Sequence, residues 1–105
     1  MRKFELRTYH LRTDEAAVTY LPHWKLHIKS LKRFGVETHA FFSSPSAPRD
    51  VVALISFAEN VNPEIVTQEY MQSDDFKHDM TGFDVSQIEC VDTLLLFPGE
   101  GSPLT

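Results

Sequence analysis

The sequence predicts an α+β domain in which an antiparallel four-stranded sheet carries two helices on one face. Three observations carry that expectation. Phe4-Glu5-Leu6-Arg7-Thr8-Tyr9 alternates with period two, placing Phe4, Leu6 and Thr8 on one face of a strand and Glu5, Arg7 and Tyr9 on the other. Apolar residues then recur at helical spacing through Ala17, Tyr20, Leu21, Trp24, Ile28 and Leu31. The order strand, helix, strand is finally repeated in the second half of the chain, without any repeat of the residues themselves.

The elements follow in order. Thr13 or Asp14 caps the first helix and Gly35 ends it; Pro22 lies inside the pattern, so the helix is either kinked there or begins afresh with Pro22 in its first turn. Val36 to Ser43 reads as a strand, Ser44 to Arg49 as an exposed connection, and Asp50 to Phe57 as a more continuously apolar strand of the kind buried on both faces. Asn62-Pro63-Glu64 supplies a cap, a first-turn proline and an acid at the positive end of a helix dipole. That helix is expected to run to about Gln72, with Ser73-Asp74-Asp75 capping a further turn or two through Met80 before Gly82. Ser86 to Phe97 is a long final strand, stopped by Pro98-Gly99. Two such units joined by a short connection give a ferredoxin-like βαββαβ arrangement, one domain over residues 1–105. Its second sheet face is uncovered, and stacking against an identical copy is the economical way to bury it.

Composition bounds the function. A 105-residue chain with 42% hydrophobic and 24% charged residues is an ordinary globular domain. No apolar run approaches the roughly 20 residues that cross a bilayer, and Met1-Arg2-Lys3-Phe4-Glu5 has no apolar signal core, so a soluble, cytoplasmic protein is expected. Cys90 is the single cysteine; it excludes an internal disulfide, and inside a strand pattern it reads as a small core residue. Residues 1–49 hold nine Lys or Arg against four acids, whereas residues 50–105 hold one Lys against eleven. The basic cluster Lys25, Lys29, Lys32 and Arg33 is too sparse for a nucleic-acid footprint on an acidic chain and reads as a solvated helix face able to pair with the acidic half. No nucleic-acid or membrane partner is expected.

Glu5-Leu6-Arg7-Thr8-Tyr9, the segment Tyr20-Leu21-Pro22-His23-Trp24 with His27 behind it, and Leu31-Lys32-Arg33-Phe34-Gly35 resemble the NIPSNAP family, which belongs to the dimeric α+β barrel superfamily. The resemblance covers nearly the whole chain. It implies a small homodimer with pockets between helices and sheet, and no settled reaction. The wider superfamily includes cofactor-independent monooxygenases acting on aromatic polyketides, polyketide cyclases, haem-degrading enzymes and plain binding proteins, and fold alone does not choose among them.

Candidate site residues come from the first helix and the sheet. On a helical wheel Trp24 lies at the centre of the apolar stripe, His27 on its flank and His23 at its polar margin. The spacing of His23 and His27 suits a shared ion, but no third ligand stands at a diagnostic distance, so neither a metal nor any other cofactor is expected; phosphate-binding glycine loops, GxSxG and a Rossmann fingerprint are also absent. On the sheet, Glu5, Arg7 and Tyr9 share one strand face, Glu37, His39 and Phe41 share one on the second strand, and Gln87 and Glu89 share one on the last; a pairing register that puts these faces together gives a polar cluster bordered by aromatics. Such a face is either a self-satisfying ionic network or an Arg and Tyr pair that binds an anionic or phenolic oxygen while His27 or His39 moves a proton. The catalytic candidates are therefore His27, Tyr9 and Arg7, and the ligand-binding candidates Trp24, Tyr20, His23 and His39. His10 and His78 are expected at the surface. Two functions stand: an enzyme that holds a small apolar or aromatic metabolite, in the manner of a cofactor-independent monooxygenase or cyclase, and a non-catalytic ligand-binding or protein-interaction module. A cavity with unpaired polar groups favours the first, and a space filled by Trp24 and Tyr20 the second.

Overall fold

The computed structural model describes residues 2–105, which leaves Met1 of the N-terminal segment considered above outside the described residues. Four strands, β1 (Lys3–Leu11), β2 (Val36–Ser43), β3 (Asp50–Phe57) and β4 (Ile88–Leu96), form one antiparallel sheet in the order β2-β3-β1-β4. With the helices on one face this is the ferredoxin-like βαββαβ fold, and β1, which carries most of the candidate chemistry, lies mid-sheet.

Each helical boundary has a local cause. The Thr13 hydroxyl accepts from the Ala16 N–H at 3.0 Å and starts α1 (Asp14–Tyr20). Pro22 breaks the periodic run as a three-residue 3₁₀ turn, Leu21–His23, after which α2 (Trp24–Arg33) begins afresh. Gly35 then reverses the chain at φ 81°, a conformation that disfavours a side chain. Asn62 Oδ1 accepts from the N–H groups of Glu64 and Ile65 to open α3 (Pro63–Met71), and Ser73 caps α4 (Asp74–Asp79). The acidic second half meets the basic helix here, with Arg33 of α2 3.1 Å from Asp75 of α4.

The core sits between helices and sheet. Val51, Ala53, Ile55 and Phe57 of β3 are fully buried and pack with Tyr20, Trp24, Leu31 and Val36. Val52 and Leu54, on the opposite face of β3, are only half-buried. The open sheet face continues through half-buried Leu6 and exposed Phe42, Leu94 and Leu96.

Two bulges correct the expected registers. An extra residue between Thr38 and Ala40 leaves Thr38 opposite Ile55 and Ala40 opposite Leu54, so Glu37 and His39 lie on the open face while Phe41 turns to the helix face. The alignment of Glu37 and His39 with Glu5, Arg7 and Tyr9 therefore does not form. At the other end, Asp84 Oδ1 accepts from the Ser86 N–H and hydroxyl and holds Val85–Gln87 as a 3₁₀ turn, so the last strand starts at Ile88 rather than Ser86. A second shift between His10 and Leu11 sets Glu89 aside, and Thr93 and Val91 stand opposite Arg7 and Tyr9 in place of Gln87 and Glu89. Cys90, expected in the core, is exposed on the open face opposite His10. No helix among the described residues is long and apolar enough to cross a membrane.

Candidate functional site

A cavity of about 680 Å³ separates the helices from the β1 and β4 side of the sheet. β1 supplies its floor with Glu5, Arg7 and Tyr9, the residues whose alternation faces them all to the helices. The first helical pair adds Tyr20, Trp24, His27 and Leu31; α3 adds Thr67 and Tyr70; Phe76 and Met80 close one end. Exposed Met71, Val85 and Val91 line it as well and mark its mouth. The walls are mainly aromatic and aliphatic, so the few polar atoms among them fix what the cavity can do.

Those atoms form two groups. In the first, the Arg7 guanidinium donates through Nε to Glu5 Oε1 at 2.5 Å and through Nη2 to the Thr67 hydroxyl at 2.5 Å. Arg7 and Glu5 are 6% and 8% exposed, so each charge requires the other. Two of the five N–H groups of Arg7 are thereby used and the Tyr9 hydroxyl lies against the guanidinium as well, so the N–H groups left over can serve an oxygen in the cavity.

The second group is a buried relay. The Tyr70 hydroxyl donates to Asp79 Oδ2 at 2.6 Å, and its oxygen stands 2.5 Å from His27 Nδ1. Because the Tyr70 proton is committed to Asp79, Nδ1 must be the donor to Tyr70, which leaves the lone pair of the neutral imidazole on Nε2. The Tyr20 hydroxyl reaches Nε2 only at 3.4 Å. Burial pushes the His27 pKa down to about 4, against the attraction of Asp79, so the ring is neutral at pH 7. The same burial pushes Tyr70 up, assisted by its hydrogen bond to Asp79 and that group's charge, so Tyr70 stays a proton donor. The arrangement is a base, its orienting partner and a buried carboxylate in series.

One further polar atom is buried beside this group. Trp24 is 1% exposed, yet no described residue accepts a hydrogen bond from its indole Nε1–H. Its ring lies against Tyr9 and His27, with centroids 5.8 Å and 5.1 Å away.

The structure thus gathers five of the seven candidates, Arg7, Tyr9, Tyr20, Trp24 and His27, on one cavity. His23 lies outside the lining, stacked on Tyr20 and tilted against Phe83, with its Nδ1 bonded to the Asp79 carbonyl at 2.8 Å. His39 sits on the opposite sheet face, against Phe4 and 2.7 Å from Ser56 Oγ. His78 is exposed, and His10 is held on the open face between Asp50 and Asp92. Sequence reading missed Tyr70 and Asp79. Their signal was a tyrosine and an acid in helical segments of mixed polarity without a clear apolar stripe, where nothing local distinguishes them from surface residues. Among the described residues no group of three or more His, Cys, Asp or Glu is arranged to hold a metal ion.

Comparison with known proteins places this geometry in context. No family model matches the chain, and no curated protein is similar to it. Solved structures are. A NIPSNAP family protein of unknown function from Agrobacterium tumefaciens matches with TM-score 0.77 and 22% identity over 99% of this chain and 94% of that one. A second NIPSNAP family protein of that organism matches with TM-score 0.76 and 15% identity over 100% of both chains. A protein described as a putative antibiotic biosynthesis monooxygenase, from Bacteroides thetaiotaomicron, matches with TM-score 0.64 and 17% identity over 92% of this chain and 89% of that one. At these identities the likeness is one of fold, and it is the α+β barrel fold that the sequence resemblance implied.

Proposed function

We propose that this chain is a NIPSNAP-like homodimeric protein that binds a small apolar or aromatic metabolite between helices and sheet and moves a proton on it. The observation that carries the reading is His27, neutral and buried on the wall of an open cavity, with Nδ1 bonded to Tyr70 and Nε2 facing Tyr20 at a distance too long to hold its lone pair. His27 Nε2 takes a proton from an acidic O–H or C–H of the ligand. Arg7 and Tyr9 hold the oxyanion that results. Such a phenolate or enolate is the species that reacts with dioxygen in a cofactor-independent monooxygenation, or with an internal carbonyl in a cyclisation. The putative monooxygenase among the similar structures supports the first of these as the one to test.

The open space favours the enzyme reading over the interaction module, because Trp24 and Tyr20 line the cavity and do not fill it. Dimer formation is supported by β4. Every residue from Glu89 to Leu96 is exposed in the single chain, including Val91, Leu94, Leu95 and Leu96, more apolar surface than an edge strand leaves in water.

Native mass spectrometry of the purified protein tests dimer and occupancy together, and a dimer with a copurified small molecule is expected. Dioxygen consumption across a panel of hydroxyaromatic compounds then tests turnover. His27→Ala is expected to abolish it while leaving the dimer intact, and equal rates for the two proteins would remove His27 from the mechanism.

A further inference from the structure

Arg7 is the only cation among the described residues that line the cavity, and its charge is already matched within the chain. Its Nε stands 2.5 Å from Glu5 Oε1, and the two residues are 6% and 8% exposed, so the pair carries no net charge in a place from which water is largely excluded. The rest of the lining adds no positive charge. His27 is neutral at pH 7, and the exposed Glu64 of α3 brings a second carboxylate. Asp79 holds a third, one hydrogen bond behind the wall on Tyr70. The start of α3 is the remaining feature that attracts an anion, and it is already capped, because Asn62 Oδ1 accepts from the N–H groups of Glu64 and Ile65. Two lining carboxylates thus face one guanidinium, and the walls are net negative.

A ligand that arrives as an anion gives up its hydration and meets like charge at short range in an apolar space that screens poorly. A neutral ligand meets neither penalty, and the N–H groups that Arg7 has left over can still bond a neutral oxygen. They also suit a charge formed inside the cavity. When a proton passes from ligand to His27 the total charge of the cavity is unchanged, whereas a carboxylate carried in from water changes it by one. We infer, on the reading that the cavity takes a small apolar or aromatic ligand, that Glu5 is its charge filter: by neutralising Arg7, the buried carboxylate confines the cavity to ligands that enter uncharged and excludes those bearing a carboxylate, sulfonate or phosphate. Proton transfer at His27 uses no atom of Glu5, so this role is separate from turnover.

2-Naphthamide and 2-naphthoate share one shape and differ in charge at neutral pH, so calorimetric titration of each into the intact protein isolates the effect of charge. 2-Naphthamide is expected to bind about tenfold or more tightly than 2-naphthoate. Glu5→Gln keeps the length of the side chain and an acceptor for Arg7 Nε while removing the negative charge. It is expected to tighten 2-naphthoate by about tenfold and to leave 2-naphthamide within about twofold of its original affinity. The ratio of the two probes in the unaltered protein decides alone if that variant fails to fold. Equal affinity for the two probes there, or a folded Glu5→Gln protein that still discriminates between them as strongly, would overturn the role of Glu5 and leave the cavity reading in place. Binding of neither probe would overturn both. These measurements read binding alone, so a protein that discriminates as stated but turns over no hydroxyaromatic compound would refute proton transfer at His27 and leave the charge filter standing.

Discussion

The two faces of the sheet use the same strand for opposite ends. On the helix-covered face, β1 presents Glu5, Arg7, Tyr9 and Leu11 to a core in which the facing residues of β3 are fully buried and the Arg7 guanidinium is paired with Glu5. On the open face it presents Phe4, Leu6, Thr8 and His10 to a surface of half-buried and exposed apolar residues. Each face also holds a histidine between acceptors. His27, covered, is kept neutral by burial, whereas His10 is bonded at 2.7 Å through each ring nitrogen, to Asp50 and to Asp92, and those two carboxylates push its pKa up. The difference teaches that desolvation decides the charge of an imidazole where the chain closes over it, and neighbouring carboxylates decide it where water remains.

That contrast can be broken most strongly at β3. Phe57→Ala, at a fully buried position, is expected to lower unfolding free energy by about 3–5 kcal/mol in urea denaturation. A loss under 1 kcal/mol would mean that the covered face is not the core. The next largest effect is in pH. His27 has its pKa lowered on folding, so the unfolded chain binds the extra proton first, and stability falls as pH drops from about 6.5 toward 4. The loss is expected to be roughly 3 kcal/mol across that window, and His27→Gln should flatten the slope measured between pH 6.5 and 5.

On the open face the expected effects are smaller and of another kind. Leu94→Ala, at a position 56% exposed in the single chain, should leave the unfolding midpoint of the separated protomer unchanged and weaken the proposed dimer by roughly 2 kcal/mol. Sedimentation equilibrium reads that difference, and an unchanged dimer would place the interface elsewhere. The smallest effect is expected at His10. Its raised pKa makes a contribution present below pH 6.5 and lost as pH rises through the folded value, the reverse of His27. Asp92→Asn should bring the NMR titration of His10 back toward 6.5 with little change in stability, since that carboxylate is well exposed.

Much of this was legible in the residues. The alternation of Phe4 to Tyr9, the capping signals at Thr13, Asn62 and Ser73, and the break at Pro22 each act within one or two turns of chain, so they appear in the order of residues and reappear as elements. The gathering of Arg7, Tyr9, Trp24, Tyr20 and His27 was also foreseeable, because period-two and period-3.6 patterns both indicate which face turns inward. His39 was not. One inserted residue in β2 reverses every later side chain, and nothing in Val36 to Ser43 marks where that residue falls.

By itself, then, the sequence determined the elements, their order and the inward face of β1, because these depend on local sterics and on the spacing of apolar groups. Only the tertiary structure decided the site. Tyr70 and Asp79 lie 43 and 52 positions beyond His27, and no local rule links a hydroxyl to an imidazole across such a span of chain. Packing α3 and α4 over the sheet sets Tyr70 against His27 and Asp79 against Tyr70. Removing all three from water then fixes which nitrogen carries the proton.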